Sequence, residues 1–241
     1  MADPARSFDL AAEEYERTRP DYPAAVLEKV PVPAGATVLD LGAGTGKLTR
    51  VLIGRYSRVI AVEPLDGMRR ILEKVVPQAE SLAGRAEQIP LPVASVDAVF
   101  AAQAFHWFAT DEALSEIARV LRRGGVFCLV WNSRDESRPW PLPQPYTDYL
   151  EELRADRSYG DGPPFREVLG RDPFGEINEF AIPHDHVLDR QGLLDNARSA
   201  SWIASRSPDD HERVMRRLGQ LLPQGTYSIP NVANVMWMVR S

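Results

Sequence analysis

The chain has 241 residues, of which 44% are hydrophobic and 26% are charged, as in an ordinary globular protein. Its 34 acidic and 28 basic residues leave a net charge of −6, which disfavours nucleic acid and anionic membranes as partners. The single cysteine, Cys128, excludes an intrachain disulfide and favours a cytoplasmic location. The sequence shows neither a signal-peptide pattern nor an apolar run of about 18 residues, so no membrane partner is expected.

The first half of the chain predicts an α/β sheet. Residues 7–30 are expected to form two short helices that are broken at Pro20 and Pro23. From Thr37 to about Ser133, amphipathic helices alternate with five short apolar strands: TVLDLG, RVIAVE, SLAGRA, VDAVFAAQ and GVFCLVWN. This alternation is typical of a doubly wound parallel sheet. The helix TDEALSEIARVLRRG is predicted to end at a glycine cap, Gly124.

The second half of the chain has a different residue composition. Residues 134–175 are rich in Pro, Arg and aromatic residues and are interpreted as an insertion, with one helix from about Gln144 to Asp156. EINEFAIPHDHVLD and NVANVMWMVRS predict two late strands, the first with Pro183 at a bulge or sheet edge. DRQGLLDNARS and PDDHERVMRRLGQLLP predict helices, and Ser207 is the expected N-cap of the second.

The glycine-rich loop DLGAGTG follows the first strand and indicates close approach of backbone to a ligand. A phosphate-binding P-loop is excluded, because Leu41 and Leu48 stand where it needs a glycine and a hydroxyl residue. A dinucleotide fingerprint is missed by one position, since Lys47 occupies the place of its third glycine. Lys47 is therefore expected to be an ordinary residue of the first helical turn.

Two acids point to a different ligand. Asp40 ends the first strand, where it would repel a phosphate but suits a cationic amine. Glu63 ends the second strand, where an acid accepts hydrogen bonds from ribose hydroxyls. A loop for backbone approach, an acid for an amine and an acid for a ribose describe S-adenosylmethionine better than a phosphate cofactor.

The segments VLDLGAGTGKLT, VIAVEPLDGM and GRAEQIPLPVASVDAVFAAQAFHWF, over about residues 35–135, resemble class I S-adenosylmethionine-dependent methyltransferases. RPDYP, AFHWF and WNSRDES are similar to the small-molecule branch that includes trans-aconitate methyltransferase-like enzymes. The resemblance implies a Rossmann-like, doubly wound, seven-stranded, mostly parallel sheet with one antiparallel strand near the edge and helices on both faces. It further implies one domain over 1–241: cap helices 1–34, a cofactor-binding core 35–133, an insertion 134–175 that forms a lid with the cap, and a C-terminal part 176–241.

The resemblance also implies a set of cofactor-binding residues. They are Tyr15, Arg19, Asp40, Gly42, Ala43, Gly44, Thr45, Gly46, Glu63, Pro64, Met68, Ala86, Glu87, Gln103, Ala104 and Phe105. Within this set, Arg19 pairs with the methionine carboxylate, Asp40 holds the amino end and Glu63 takes the ribose. Many relatives carry an acid where this chain has Arg85, so a backbone contact from Ala86 is preferred over a side-chain contact there.

His106 is the candidate catalytic base, because it follows the carboxyl end of a central strand, where α/β sites lie. Trp107, Trp131 and Trp202, together with His106, are candidates for acceptor binding, although packing is the alternative role of each. Four arginines can bind an acidic acceptor or form a solvated face: Arg134, Arg138, Arg154 and Arg157. No metal site is expected from His184, His186 and His211, because they lack a paired ligand spacing.

The predicted activity is methyl transfer to a small molecule, by O-methylation of a carboxylate or a hydroxyl. A cofactor-binding module without transfer is the alternative, and an RNA or protein methyltransferase ranks below it. The motifs of two DNA methylase classes are absent: Gln103-Ala104-Phe105-His106 replaces Asp/Asn-Pro-Pro-aromatic, and Cys128 follows Phe127 rather than proline.

Overall fold

The structure is a computed structural model, and it describes residues 12–155, 169 and 173–241. Seven strands form one sheet in the order β3-β2-β1-β4-β5-β7-β6. The strands are β1 (Thr37–Leu41), β2 (Arg58–Val62), β3 (Glu80–Leu82), β4 (Val96–Ala102), β5 (Leu121–Arg134), β6 (Asn178–Asp189) and β7 (Thr226–Val239). The seven-stranded sheet predicted from the sequence is thereby confirmed.

The sheet is mostly parallel. β1 pairs in parallel with β2 and β4, and the parallel pairing continues to β3 on one side and β5 on the other. Apolar β-branched and leucine residues dominate these strands because both sheet faces are covered, and Val38 and Leu39 are fully buried. Beyond β5 the pairing is antiparallel, as the reciprocal backbone bonds of Arg240 with Gly124 (2.9 Å) and Gly125 (2.8 Å) show.

Helices connect these strands. They are α1 (Ala12–Thr18), α2 (Lys47–Ile53), α3 (Asp66–Val75), α4 (Asp111–Val120), α5 (Gln144–Ala155), α6 (Arg190–Arg198), α7 (Ser201–Ala204) and α8 (Pro208–Leu221). The predicted N-cap of α8 is confirmed, since the Ser207 hydroxyl accepts from the Asp210 N–H at 3.4 Å. None of the described helices has the length and apolarity that crossing a bilayer requires.

Two predicted ends of elements are wrong, those of α4 and β3. α4 ends at Val120 rather than at a glycine cap, because buried Leu121 pairs with Val96 and draws the chain into β5. Gly124 keeps a positive φ of 75° but lies inside that strand. β3 stops at Leu82, short of the predicted SLAGRA. The two predicted N-terminal helices correspond to α1 and to a 3-10 helix at Ala24–Leu27, with Pro20 and Pro23 between them, and residues 7–11 lie outside the described part.

Tertiary contacts divide the chain into two compact units. The sheet unit contains the described residues 21–133, 169, 173–183 and 232–241, and the helical unit contains 12–20, 134–155 and 184–231. The core of the sheet unit includes Leu39, Phe105 and Phe127, which are fully buried. The helical unit packs Tyr146 and Leu218 in its own core. The single domain and the lid inferred from the sequence stay predictions.

Candidate functional site

The glycine loop between β1 and α2 depends on backbone conformations that only glycine adopts without strain. Gly42, Gly44 and Gly46 have φ angles of 69°, 57° and 90°. A Cβ added to Gly42 would lie 2.8 Å from the Ala104 Cβ, so the loop packs against the end of β4. A Cβ at Gly44 would meet no described atom within 4 Å. The backbone at Gly44 is therefore open to a ligand.

Asp40 is a buried acid beneath this loop, with 1% exposure. Its Oδ2 accepts a hydrogen bond from the Thr49 hydroxyl at 2.6 Å, whereas Oδ1 has no partner among the described residues. Burial raises the pKa of Asp40 to about 7, and the negative charge of Glu63 adds to the rise. A buried carboxyl with an unused oxygen fits a cationic group of a ligand, so the residues present suit the amino end of S-adenosylmethionine.

Glu63 joins the glycine loop to the end of β2. Its Oε2 accepts from the Gly44 N–H at 2.8 Å, and its Oε1 accepts from the Leu65 N–H at 2.9 Å. Each carboxylate oxygen has a second lone pair, so a ribose hydroxyl can still be bound. The sequence placed Glu63 at the ribose but gave no sign that it also holds the loop, because that contact depends on backbone orientation.

Two further polar residues, in the loop and just after it, are buried. Thr45 is 1% exposed, and its hydroxyl finds no partner within the described chain, so it is a second unused polar group at the loop. Lys47 is also buried, and its ammonium binds the Asp21 carboxylate at 2.9 Å. That ion pair ties the RPDYP segment to α2. Lys47 thus has a structural partner, which the sequence analysis missed.

The predicted adenine-binding residues follow β2 and β3. Met68 and Ala86 are buried at 4% and 5% exposure, whereas Pro64 is exposed. Glu87 is exposed and lies 3.6 Å from Arg85 in an ion pair. The contact of the Ala86 backbone with the adenine stays a prediction.

The chain beyond β4 is held in an unusual conformation. Gln103 has a φ of 51°, which is rare for a residue other than glycine. Its Nε2 donates to the Asn132 carbonyl at 2.6 Å, and its N–H donates to the Val130 carbonyl at 3.0 Å. Ala104 is buried, and Phe105 packs edge-on against Phe127 in the core. The ring of Phe105 therefore supports the fold, and only its backbone can face a ligand.

His106 lies in the 3-10 turn Phe105–Trp107, beside two indoles. Its ring centroid is 4.9 Å from Trp107 and 6.4 Å from Trp131. Burial lowers the pKa of His106 below its usual range, so the neutral imidazole is the form present at neutral pH. Trp107 is 47% exposed. A neutral imidazole with an exposed aromatic neighbour can accept a proton from a bound hydroxyl.

The helical unit holds the other predicted site residues. The Arg19 guanidinium lies over the Tyr15 ring at 5.5 Å, and its Nε donates to the Ser199 hydroxyl at 3.2 Å. Tyr15 and Arg19 are thus brought together, as their predicted shared role requires. Trp202 packs against the core of this unit, so packing accounts for part of its surface. His186 hydrogen bonds the Thr18 carbonyl at 2.8 Å.

Comparison with known proteins shows which proteins this chain is similar to. Residues 39–129 match the family model described as a methyltransferase domain. An uncharacterised methyltransferase of Mycobacterium tuberculosis is 39% identical over 221 residues, which cover 91% of this chain and 87% of the relative. An uncharacterised methyltransferase-like protein of Schizosaccharomyces pombe is 33% identical over 95% of this chain and 89% of its own length.

A solved structure described as a type II methyltransferase from Anaeromyxobacter dehalogenans has a TM-score of 0.67 at 25% identity, covering 92% of this chain and 97% of that one. The phosphoethanolamine N-methyltransferase 2 of Haemonchus contortus, solved in complex with S-adenosyl-L-methionine, shares the fold with a TM-score of 0.56 at 16% identity. That match covers 96% of this chain and 57% of the other. With relatives similar over nearly the whole chain, the chain belongs to the S-adenosylmethionine-dependent methyltransferases.

Proposed function

We propose that this chain binds S-adenosylmethionine at the glycine loop and transfers its methyl group to an oxygen of a small-molecule acceptor. One observation carries the proposal: the buried carboxyl of Asp40 keeps Oδ1 without a partner among the described residues, beneath a loop of three positive-φ glycines. The acid supplies the charge for a cationic amine and the loop supplies close backbone approach. The remaining cofactor-binding residues inferred from the sequence stay predictions, and so do the trans-aconitate-like branch and the cytoplasmic location.

The bound cofactor supplies an activated methyl group, so the residues of the chain chiefly align the acceptor and exclude water. Alignment of this kind contributes about 7–11 kcal/mol in favourable cases. A carboxylate acceptor needs no base, whereas a hydroxyl acceptor must lose a proton. The neutral His106 imidazole is the group proposed to take that proton, and general bases contribute roughly 10²–10⁴-fold to such rates.

Calorimetry with S-adenosylhomocysteine, the demethylated product, tests cofactor binding. Asp40→Asn keeps the size of the side chain and removes its charge, and we expect it to weaken binding by at least tenfold. Asp97→Asn is the matched control: Asp97 lies on β4, pairs with Arg122, and accepts from the Thr37 N–H. Binding by Asp40→Asn equal to that of Asp97→Asn would remove the observation on which the proposal rests.

A cofactor-binding module that transfers no methyl group is the second candidate. It predicts tight binding of S-adenosylhomocysteine together with no methylation of any acceptor. The neutral His106 beside exposed Trp107 favours an enzyme instead, since a module has no use for a base and an exposed indole at that position.

A further inference from the structure

Two stretches of chain, through β4 into the turn that follows it and through β5, carry no charged side chains. Residues 98–110 and 124–133 contain no Asp, Glu, Lys or Arg, although such residues make up 26% of the chain. The two segments are adjacent, because β4 pairs with β5 up to Ala102 and Val130, and Gln103 then bonds the Asn132 carbonyl. These segments therefore offer a ligand no cationic partner.

Three neighbouring rings lie within these two segments, and we call them the aromatic wall: His106, Trp107 and Trp131. The ring centroids of Trp107 and Trp131 lie 4.9 Å and 6.4 Å from that of His106. Trp107 leaves 47% of its surface exposed, an unusual position for the largest apolar side chain. A planar apolar ligand would bury this indole and gain stacking energy.

The aromatic wall also limits which side chain can accept a proton from the methyl acceptor. Within the two uncharged segments, the titratable side chains are His106 and Cys128. Cys128 is fully buried, and burial raises the pKa of its thiol, so it takes no part in proton transfer. His106 is then the proton acceptor of the wall. A base is useless to a carboxylate acceptor, which would instead need a cation for binding.

We propose that the methyl acceptor is an uncharged aromatic hydroxyl compound, a phenol or naphthol, whose ring stacks on the aromatic wall. Its hydroxyl proton passes to the His106 imidazole while an oxygen lone pair forms the new O–C bond. The methyl C–S bond breaks at the same time, and its electron pair stays on sulfur, which becomes a neutral thioether. The imidazolium then releases its proton to water. This inference rests on the proposed function and narrows its acceptor.

The test compares 2-naphthol with 2-naphthoate, which share one ring system and differ in charge at neutral pH. Both are titrated by calorimetry into the full chain saturated with S-adenosylhomocysteine. We expect 2-naphthol to bind at least tenfold more tightly, and Trp107→Leu to weaken its binding by roughly tenfold, which corresponds to the loss of an aromatic contact of about 1.4 kcal/mol. Equal or tighter binding of 2-naphthoate, or no binding of 2-naphthol, overturns the inference.

A charge introduced into the wall sharpens the test. Trp107→Arg is expected to weaken binding of 2-naphthol as Trp107→Leu does, and in addition to tighten binding of 2-naphthoate severalfold. Val93→Arg is the matched control, because Val93 is 67% exposed and lies outside both uncharged segments. If Val93→Arg improves 2-naphthoate binding as much as Trp107→Arg, the wall does not select the acceptor and the inference is wrong.

The same titrations separate this inference from the proposed function. Failure of the unmodified chain to bind S-adenosylhomocysteine overturns both. Tight binding of S-adenosylhomocysteine with a preference for 2-naphthoate leaves the proposed function in place and overturns only the acceptor class. Formation of 2-methoxynaphthalene from S-adenosylmethionine and 2-naphthol supports both.

Discussion

Single residues carry the electrostatics of the proposed site. Asp40 is the clearest case, since burial raises its pKa to about 7, well above the ordinary value of 3.8 for an aspartate. The ligand-free protein therefore holds an extra proton on Asp40 between these two values. Protonated Asp40 therefore contributes to the free energy of unfolding below about pH 4, and this contribution is lost as the pH rises through 7.

Cofactor affinity is expected to depend on pH in the opposite direction. The amine of the cofactor binds ionised Asp40, so affinity for S-adenosylhomocysteine should rise as the pH increases from 5.5 to 7, by at most about tenfold per unit, and level off above 7. Calorimetry across this range measures the slope. The slope should disappear in Asp40→Asn, and a pH-independent affinity in the unmodified chain would contradict the role of Asp40.

His106 is predicted to act on transfer and not on cofactor binding. His106→Gln should leave affinity for S-adenosylhomocysteine unchanged and slow transfer to a hydroxyl acceptor by roughly 10²–10⁴-fold. Because burial lowers the pKa of His106, the rate of the unmodified enzyme at saturating cofactor should fall only at a pH below the usual pKa range of histidine. Full activity of His106→Gln in a product assay would rule out the base.

At the scale of elements, the turn between β1 and α2 shows what sequence patterns can and cannot reveal. The alternate glycines identify the loop, and their positive φ angles explain the pattern. The contacts of Glu63 with the Gly44 and Leu65 amides could not be read from spacing, since both depend on how β2 and the loop turn in space. The positive φ of Gln103 could not be predicted either, because no residue type other than glycine signals a left-handed backbone in the sequence.

Two glycines of the loop, Gly42 and Gly44, should respond differently to an added methyl group. Gly44→Ala is expected to cost about 1–2 kcal/mol of unfolding free energy from its left-handed backbone, and to weaken cofactor binding by occupying the open side of the loop. Gly42→Ala should cost about 1–3 kcal/mol more, because its Cβ would lie 2.8 Å from the Ala104 Cβ. Urea denaturation and calorimetry measure the two effects.

Gly35→Ala is the control for both variants. Gly35 has no described atom within 4 Å of an added Cβ, and its φ lies outside the left-handed region. Its replacement should change the free energy of unfolding and cofactor affinity little. If Gly44→Ala binds S-adenosylhomocysteine as well as Gly35→Ala does, the loop is not in contact with the cofactor.

At the scale of the whole molecule, the sequence predicts which segments form the sheet better than it predicts where the helices and strands end. The alternation of strands and helices between Thr37 and Ser133 predicts the parallel strands. The segments EINEFAIPHDHVLD and NVANVMWMVRS, later in the chain, predict β6 and β7. The end of α4 was misplaced because burial of Leu121 outweighs the local cap signal at Gly124. The division into two units depends on tertiary contacts, for which the chain has no local signal.

The central claim is that the glycine loop and its two acids bind S-adenosylmethionine. A crystal structure of the chain with S-adenosylhomocysteine tests it most directly. We predict that the amino group of the ligand lies within hydrogen-bond distance of the Asp40 carboxylate or of a water bound to it, and that the ribose hydroxyls contact Glu63. A ligand bound away from both carboxylates would contradict the account.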